Sequence, residues 1–370
     1  MVKLAVLMSF SGAGGVERMV VNLLEGFVAR GHRVDLLVIR PKEALRELPE
    51  GVRRVELARH THTALPALVG YLRRERPRAL LAAKDRAIRI AVLARLLSGV
   101  DFRLVGRLGT NLSAALEGKP AWRRRIRLWP MAWLYKRVEQ VVAVSRGVAE
   151  DTLNITGLPR ERVVVVRNPV ITTRLHRQAQ ETVDHPWLAD DTVAVVMGAG
   201  RLTRQKDFPT LIRAFAKLRQ SRPARLIILG EGKLRPELEA LARKLGIEND
   251  MDMPGHTSNP YAWMRRARLF VLSSLWEGSP NVLTEALALG VPSVATDCPS
   301  GPREVLDGGR IGPLVQMGDW RGMAAAMARV LDELPPPDLL RQAVAEYTLE
   351  RSARGYLAAL GLEHFPPDSP

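Results

Sequence analysis

The sequence predicts an α/β chain built as two doubly wound, Rossmann-like domains facing each other across a cleft, and three observations carry that prediction. Short apolar runs alternate with amphipathic stretches at helical spacing, as in parallel sheets covered by helices. The alternation lapses over a polar, proline-marked stretch from Asn168 to Asp191 and then restarts. The 370 residues suffice for two domains, each with a large core.

Lys3–Ser9, Arg33–Ile39, Val52–Leu57, Ala79–Ala83, Phe102–Arg107, Val141–Val144 and Val163–Val166 read as the strands of the first half. Between the first two, Val16, Met19, Val20, Leu23, Leu24, Phe27 and Val28 fall at i, i+3, i+4 spacing and predict a helix with one buried face. Asn168–Asp191 carries no such period and reads as a linker. Beyond it, Val193–Ala199, Arg225–Gly230, Leu269–Leu272, Pro292–Thr296 and Gly312–Val315 predict a second parallel sheet. Pro335–Pro337 break the chain before a last helical segment, Leu339–Leu360. The implied division is 1–170, 171–345 and a C-terminal helix within 346–370 that returns to the first domain.

Hydrophobic residues make up 46% and charged residues 25%, which excludes disordered and fibrous classes. No apolar run reaches the roughly 18 residues of a membrane span. The opening MVKLAVLMSFSGAGG is strand-like and too short for a signal peptide, so a cytoplasmic location is expected. A single cysteine, Cys298, excludes an intrachain disulfide and a thiolate zinc cluster. Basic residues exceed acidic ones by 55 − 39 = 16. Residues 1–170 hold 31 basic and 15 acidic residues and 171–370 hold 24 of each, so the excess belongs to one domain. Such a field attracts nucleic acid, anionic lipid or a phosphorylated ligand; an arginine-rich composition from a high-GC genome gives the same count.

Four segments at strand ends carry the candidate chemistry. Ser11-Gly12-Ala13-Gly14-Gly15 precedes a helix and lets backbone N–H groups approach an anion, or forms a tight turn. It is not the dinucleotide fingerprint, because Glu17 replaces the third glycine and strand two ends in Arg40-Pro41. In Gly200–Asp207, Arg201 and Lys206 can converge on phosphate oxygens or stay solvated. In Trp276–Glu285, Ser279 and Pro280 read as N-cap and N1 of a helix, leaving the amides of Asn281, Val282 and Leu283 free for a phosphate. Glu277 lies outside that helix mouth; Glu285 lies within the helix and is expected to face the cleft rather than the core. These two acids suit hydroxyl-rich groups flanking a diphosphate, or are one capping and one surface carboxylate. Finally, Lys119–Arg137 holds seven basic residues and no acid, with Trp122, Ile126, Trp129 and Trp133 along one side and Arg123, Arg124 and Arg125 among the cations. It reads as an interfacial helix on an anionic membrane or as a core helix with a solvated face, and Pro130 predicts a kink or a division into two helices.

Other chemistries lack their residues. Gly230-Glu231-Gly232-Lys233 is not a P-loop, and no G-x-S-x-G elbow occurs. His60-Thr61-His62 reads as a polar loop. Asp250-Met251-Asp252 reads as part of a short strand and its edge rather than a metal site.

Taken together and in order, Asn168-Pro169, Gly200-Arg201-Leu202, Gln205-Lys206-Asp207, Gly230-Glu231-Gly232, Glu277-x7-Glu285 and Pro299-Ser300-Gly301-Pro302 resemble glycosyltransferase family 4, the retaining GT-B enzymes. Gly14-Gly15-Val16-Glu17-Arg18 matches that family's amino-terminal loop, and the resemblance spans nearly the whole chain. It implies a metal-independent transferase using a nucleotide-diphosphate sugar, with no cofactor. Arg201 and Lys206 would neutralise the diphosphate, Glu285 hold the ribose and Glu277 a hydroxyl of the transferred sugar. Asn281, Val282 and Leu283, with Ser279, Gly200, Gly14 and Gly15, would complete the phosphate cradle, and Glu231 and His256 would line the base site. Many relatives place a histidine at a strand end near the sugar; here that end reads Arg107-Leu108-Gly109-Thr110-Asn111, so Arg107, Thr110 and Asn111 are assigned to the acceptor. A uridine donor carrying an N-acetylhexosamine is expected, with GDP-mannose as the alternative. The acceptor is expected to be a lipid-linked or cell-envelope glycan on the cytoplasmic membrane face. A sugar-nucleotide epimerase of the same fold and a nucleic-acid-binding protein are the rival readings; the second leaves Arg201, Lys206, Glu277 and Glu285 unexplained.

Overall fold

In the computed structural model, residues 3–9, 15–39, 48–58, 63–189 and 192–364 are described. They form two units: unit 1 is Met1–Pro169 with Thr348–Pro370, and unit 2 is Val170–Tyr347.

Unit 1 is a seven-stranded parallel sheet of β1 (Lys3–Ser9), β2 (Arg33–Ile39), β3 (Val52–Ala58), β4 (Ala79–Ala83), β5 (Arg103–Leu108), β6 (Gln140–Ala143) and β7 (Val163–Val165), in the order β3-β2-β1-β4-β5-β6-β7. Its first helices are α1 (Gly15–Ala29), α2 (Ala64–Glu75), α3 (Asp85–Ser98), α4 (Leu112–Ala115), α5 (Ala121–Leu134) and α6 (Arg146–Thr156). Strands buried on both faces need continuous apolar runs, and Leu4–Met8 and Ala79–Ala83 supply them. Alternation along β1 sends Ala5 and Leu7 into the core shared with α2 and α3, and Leu4, Val6 and Met8 into the one shared with α1. Asp35 on β2 accepts from Arg53 Nε at 2.8 Å and from Tyr71 Oη at 2.6 Å. Lys3 pairs with Glu75 beside it.

Unit 2 opens with α7 (Thr173–Ala179) and α8 (Pro186–Ala189). Its six parallel strands are β8 (Ala194–Ala199), β9 (Ala224–Leu229), β10 (Met251–Gly255), β11 (Leu269–Leu272), β12 (Ser293–Thr296) and β13 (Leu314–Val315), in the order β10-β9-β8-β11-β12-β13. Around them lie α9 (Phe208–Arg219), α10 (Arg235–Lys244), α11 (Pro260–Arg266), α12 (Asn281–Ala288), α13 (Pro302–Val305), α14 (Trp320–Asp332) and α15 (Pro337–Ala343). Its two chain ends are stitched together, because Val170 N and Ile171 N both donate to Tyr347 O, at 3.0 and 2.9 Å. The last helix, α16 (Leu349–Ala359), belongs to unit 1. It lies so close to α1 that a Cβ on Gly26 would sit 2.7 Å from Ala353 Cβ.

Three expectations are corrected. Residues 168–191 are not a bare linker, since α7 and α8 occupy much of the stretch and Leu175 and Ala179 are buried. The last helical segment is not continuous: α15 ends, a short 3-10 turn over Ala345–Tyr347 follows, and α16 starts where the chain re-enters unit 1. Pro130 does not divide α5, which runs unbroken over Ala121–Leu134. The carbonyl that Pro130 leaves without its helical N–H is that of Ile126, whose side chain is 66% exposed.

Candidate functional site

In both sheets the strand order reverses direction once, between β1 and β4 and between β8 and β11, and ligands of such sheets bind at the carboxyl ends beside that point. In unit 2 the two loops leaving the switch point are zipped together. Leu275 N donates to Gln205 O at 2.8 Å, Gln205 Nε2 to Trp276 O at 2.9 Å, and Ser273 Oγ to Lys206 O at 2.7 Å. This strapping fixes Lys206, whose Nζ lies 2.6 Å from Glu277 Oε1. Ser274 Oγ donates to the same oxygen at 2.7 Å. Glu277 is only 6% exposed, so the ammonium and hydroxyl compensate a carboxylate removed from water. Asp207, next in the chain, adopts φ 45° and starts α9, while Thr210 Oγ1 donates to its carboxylate at 2.6 Å.

Glycines make this packing possible. A Cβ on Gly200, at φ 152°, would press within 2.8 Å of Lys206 Cε. One on Gly230 would fall 1.9 Å from Gly200 O, so the loops after β8 and β9 touch backbone to backbone. Leu202 N donates to Glu231 O and Gly230 N to Gly255 O, which carries the row on to the end of β10. Arg201 and His256 are exposed at these ends. Glu231 is exposed too, and the Arg235 guanidinium, 2.6 Å away, holds its carboxyl below the usual range.

The glutamate-rich segment differs from expectation at its helix mouth. The N-cap of α12 is Pro280 and not Ser279, whose buried Oγ caps nothing. Asn281 N donates to Ser279 O at 3.0 Å and Leu283 N to Pro280 O at 2.9 Å, so two of the three amides expected to be free are engaged; Val282 remains at the mouth. Glu285 is buried at 5% exposure rather than turned outward. Leu283, Ala286 and Leu287 form the core face that the apolar pattern marks, but Thr284 and Ala288 are buried as well, because neighbouring helices cover the rest of α12. The Pro299–Pro302 turn packs on this mouth: Glu277 N donates to Pro299 O, and a Cβ on Gly301 would meet Pro280 Cδ at 2.5 Å. Cys298 beside it is buried, and that burial pushes its thiol up to about 12. Asp250 is taken by Arg219 and Arg225, and Asp252 by His185.

In unit 1, Gly14, the rest of 10–14, Arg40-Pro41 and His60–His62 lie outside the described residues, and Gly15 is the exposed first residue of α1. Arg107 does not present its guanidinium to solvent: it is 2% exposed, with Nη2 2.9 Å from Asn168 Oδ1 and Nε 3.2 Å from Tyr356 Oη. It thus grips the chain on both sides of the insertion of unit 2. Asn111 caps α4 by accepting from Ala114 N at 2.9 Å, and Thr110 is half-buried next to it.

The outer side of α5 is open. Trp122, Trp129 and Trp133 are 60%, 69% and 51% exposed, and Arg123, Arg124 and Arg125 are exposed beside them. Its inner side buries Met131 and Leu134. Asp85 ties the helix down, accepting from Arg89 at 2.8 Å and from Tyr135 Oη at 3.1 Å, with Arg127 at 3.6 Å. The sequence reading missed Arg107's anchoring role, the Asp85 seat and Ser274. Only the S-S pair after an apolar strand hinted at the last.

Two family models match the chain, "Glycosyltransferase Family 4" over residues 13–174 and "Glycosyl transferases group 1" over 193–333. An N-acetylgalactosamine-N,N'-diacetylbacillosaminyl-diphospho-undecaprenol 4-alpha-N-acetylgalactosaminyltransferase of Campylobacter jejuni is 28% identical, the alignment covering 93% of each chain. An uncharacterized glycosyltransferase of Methanocaldococcus jannaschii is 45% identical, but over 30% of this chain and 28% of its own length. Among solved structures, Anabaena Alr3699/HepE in complex with UDP and glucose superposes with a TM-score of 0.82 at 18% identity, covering 98% of this chain and 100% of the other.

Proposed function

This chain is a family 4 glycosyltransferase with the GT-B fold, and from that premise we propose that it transfers a sugar, with anomeric retention, from a UDP-sugar to a lipid-linked or cell-envelope glycan. The observation that carries the reading is the Lys206–Glu277 pair, locked at the switch point of unit 2. Breaking a sugar–phosphate bond builds negative charge on the departing diphosphate, and a fixed ammonium in a partly dry site stabilises it most as that charge grows. Lys206 has that role, with the exposed Arg201 as a second cation and no metal required. Glu277 both holds Lys206 and accepts from a hydroxyl of the transferred sugar. Glu285 takes the ribose, Val282 N and Gly200 the phosphates, and Glu231 and His256 the base. UDP in the Anabaena structure and the N-acetylgalactosaminyl group in the Campylobacter enzyme's name support a UDP-N-acetylhexosamine donor.

The diphospho-undecaprenol in that same name supports a lipid-linked acceptor, and α5 supplies the means of reaching it. Three exposed tryptophans beside exposed arginines fit an anionic bilayer surface, which supports a peripheral position of unit 1 on the cytoplasmic face. Thermal stabilisation by UDP, GDP, ADP and dTDP, without metal, tests the donor reading. A shift with UDP that Lys206→Ala abolishes is expected, and no shift with any nucleotide refutes it. Flotation with anionic and neutral liposomes tests the membrane reading; failure to bind either sinks it.

A further inference from the structure

Unit 1 carries a second lysine–glutamate pair, at its own switch point. Lys84 follows β4 directly, and its Nζ lies 3.0 Å from Oε1 of Glu17 in the first turn of α1. In the strand orders, β1 corresponds to β8 and β4 to β11. Unit 2 therefore has its lysine after the first of these strands and its glutamate after the second, and unit 1 has the same pair with the charges exchanged. Both side chains are mostly shielded, at 29% and 10% exposure.

The backbone of Lys84 sets it apart. Its φ of 82° and ψ of 149° fall in a region confined essentially to glycine. Its N–H donates to Arg107 O at 3.1 Å and its carbonyl accepts from Ile88 N at 3.1 Å, so the strained conformation is held from both sides. Glycine would fit this turn without strain. A lysine persists in such a conformation where its side chain has work to do, and strained residues of this kind cluster at ligand sites.

We infer that Lys84 is a specificity-determining residue that reads a phosphate of the acceptor, with Glu17 as its positioning residue. The inference rests on the lipid-linked acceptor proposed above. Glu17 keeps the ammonium aimed while leaving no unpaired charge where both side chains are shielded. The ligand class is a lipid-borne phosphate or diphosphate, an anion for which unit 1, holder of nearly all the excess of positive charge, provides a favourable field.

The test uses the full chain with saturating UDP, so that the site in unit 2 is filled, and geranyl diphosphate as probe with geraniol as neutral control. Wild type is expected to bind the diphosphate more tightly than the alcohol. The double variant Lys84→Gly/Glu17→Gln, which relieves the backbone and leaves no carboxylate alone, is expected to melt no lower than wild type, and Lys84→Gly to bind the diphosphate about ten- to a hundredfold more weakly, the loss of one charged hydrogen bond. Lys84→Met, which keeps the strain and removes the charge, is expected to lose the same affinity. Lys206→Ala is expected to lose the UDP response and retain geranyl diphosphate. Wild-type affinity in either Lys84 variant overturns the inference, as does equal binding of the two probes by wild type. A melting temperature several degrees lower in the Lys84→Gly/Glu17→Gln double variant also overturns it, marking the pair as a structural brace. The UDP response reads the donor site separately, so failure there refutes the donor reading and not this one.

Discussion

Removing the ammonium of Lys206 leaves Glu277 as a carboxylate at 6% exposure with the Ser274 hydroxyl, 2.7 Å away, as its remaining side-chain donor. Breaking a buried pair from one side costs about 3–5 kcal/mol. The Ser274 bond retains about 1 kcal/mol of that, so Lys206→Met is expected to destabilise unit 2 by about 2–4 kcal/mol. Glu277→Gln leaves an ammonium that is 15% exposed and can turn towards water, at a cost of about 1 kcal/mol. The double variant buries neither charge alone, so it should cost no more than the lysine change by itself, giving a coupling energy of at least about 1 kcal/mol. Urea unfolding followed by circular dichroism, fitted with one transition per unit, measures all four corners of the cycle. In parallel, kcat/KM of Lys206→Met should fall about 10²–10³-fold, the loss typical of one charge-stabilising donor. A coupling energy below about 0.5 kcal/mol would refute the reasoning, since the pair would then behave as a solvated surface contact.

Three further outcomes are expected. Gly230→Ala places a methyl group 1.9 Å from Gly200 O, so it should destabilise unit 2 by about 3 kcal/mol and weaken UDP binding, read by urea unfolding and calorimetric titration. Cys298, with its thiol pushed up to about 12, should resist iodoacetamide at pH 8 until unit 2 unfolds and then take one label, counted by mass spectrometry. Glu75 is held down to about 2, first by its hydrogen bond from Lys3 and then by Arg74 and Arg53. A carboxyl lowered on folding stabilises above its unfolded value and loses that contribution as pH falls, here from about 4.5 towards 2. Melting temperature against pH should therefore drop more steeply in wild type than in Glu75→Gln, which should itself be about 1 kcal/mol less stable at pH 7.

Strands buried on both faces announced themselves, because Ala79–Ala83 and Leu269–Leu272 have to be apolar at every position. The edge strand β10 was harder to see: Met251-Asp252-Met253-Pro254-Gly255 mixes an acid and a proline that an edge tolerates, and only its first residues were read as strand. Lys206, Glu277 and Gly200 could be grouped from the sequence because each lies in a segment that follows a strand, and the structure brings them within contact. The state of Glu285 was not legible, since helical period marks the face towards the sheet and says nothing of helices packed behind. Ser279 missed its cap because Pro280 and a tight Asn281-to-Ser279 turn delay the helix by a residue. Lys84 left no trace at all, as no side-chain pattern encodes a left-handed lysine.

The stitched ends of unit 2 and the return of α16 to unit 1 also fix an order of biogenesis. On the ribosome the seven strands of unit 1 emerge first, but the helix that covers Leu4, Val6 and Met8 alongside α1 is encoded after roughly 180 intervening residues. At about 5–20 residues per second, that apolar face waits roughly 10–40 s for its cover. Unit 2, closed on itself at Val170 and Tyr347, is complete before unit 1 is. The second-made half is thus the first finished, and the nascent first half is the natural client for a chaperone during the interval.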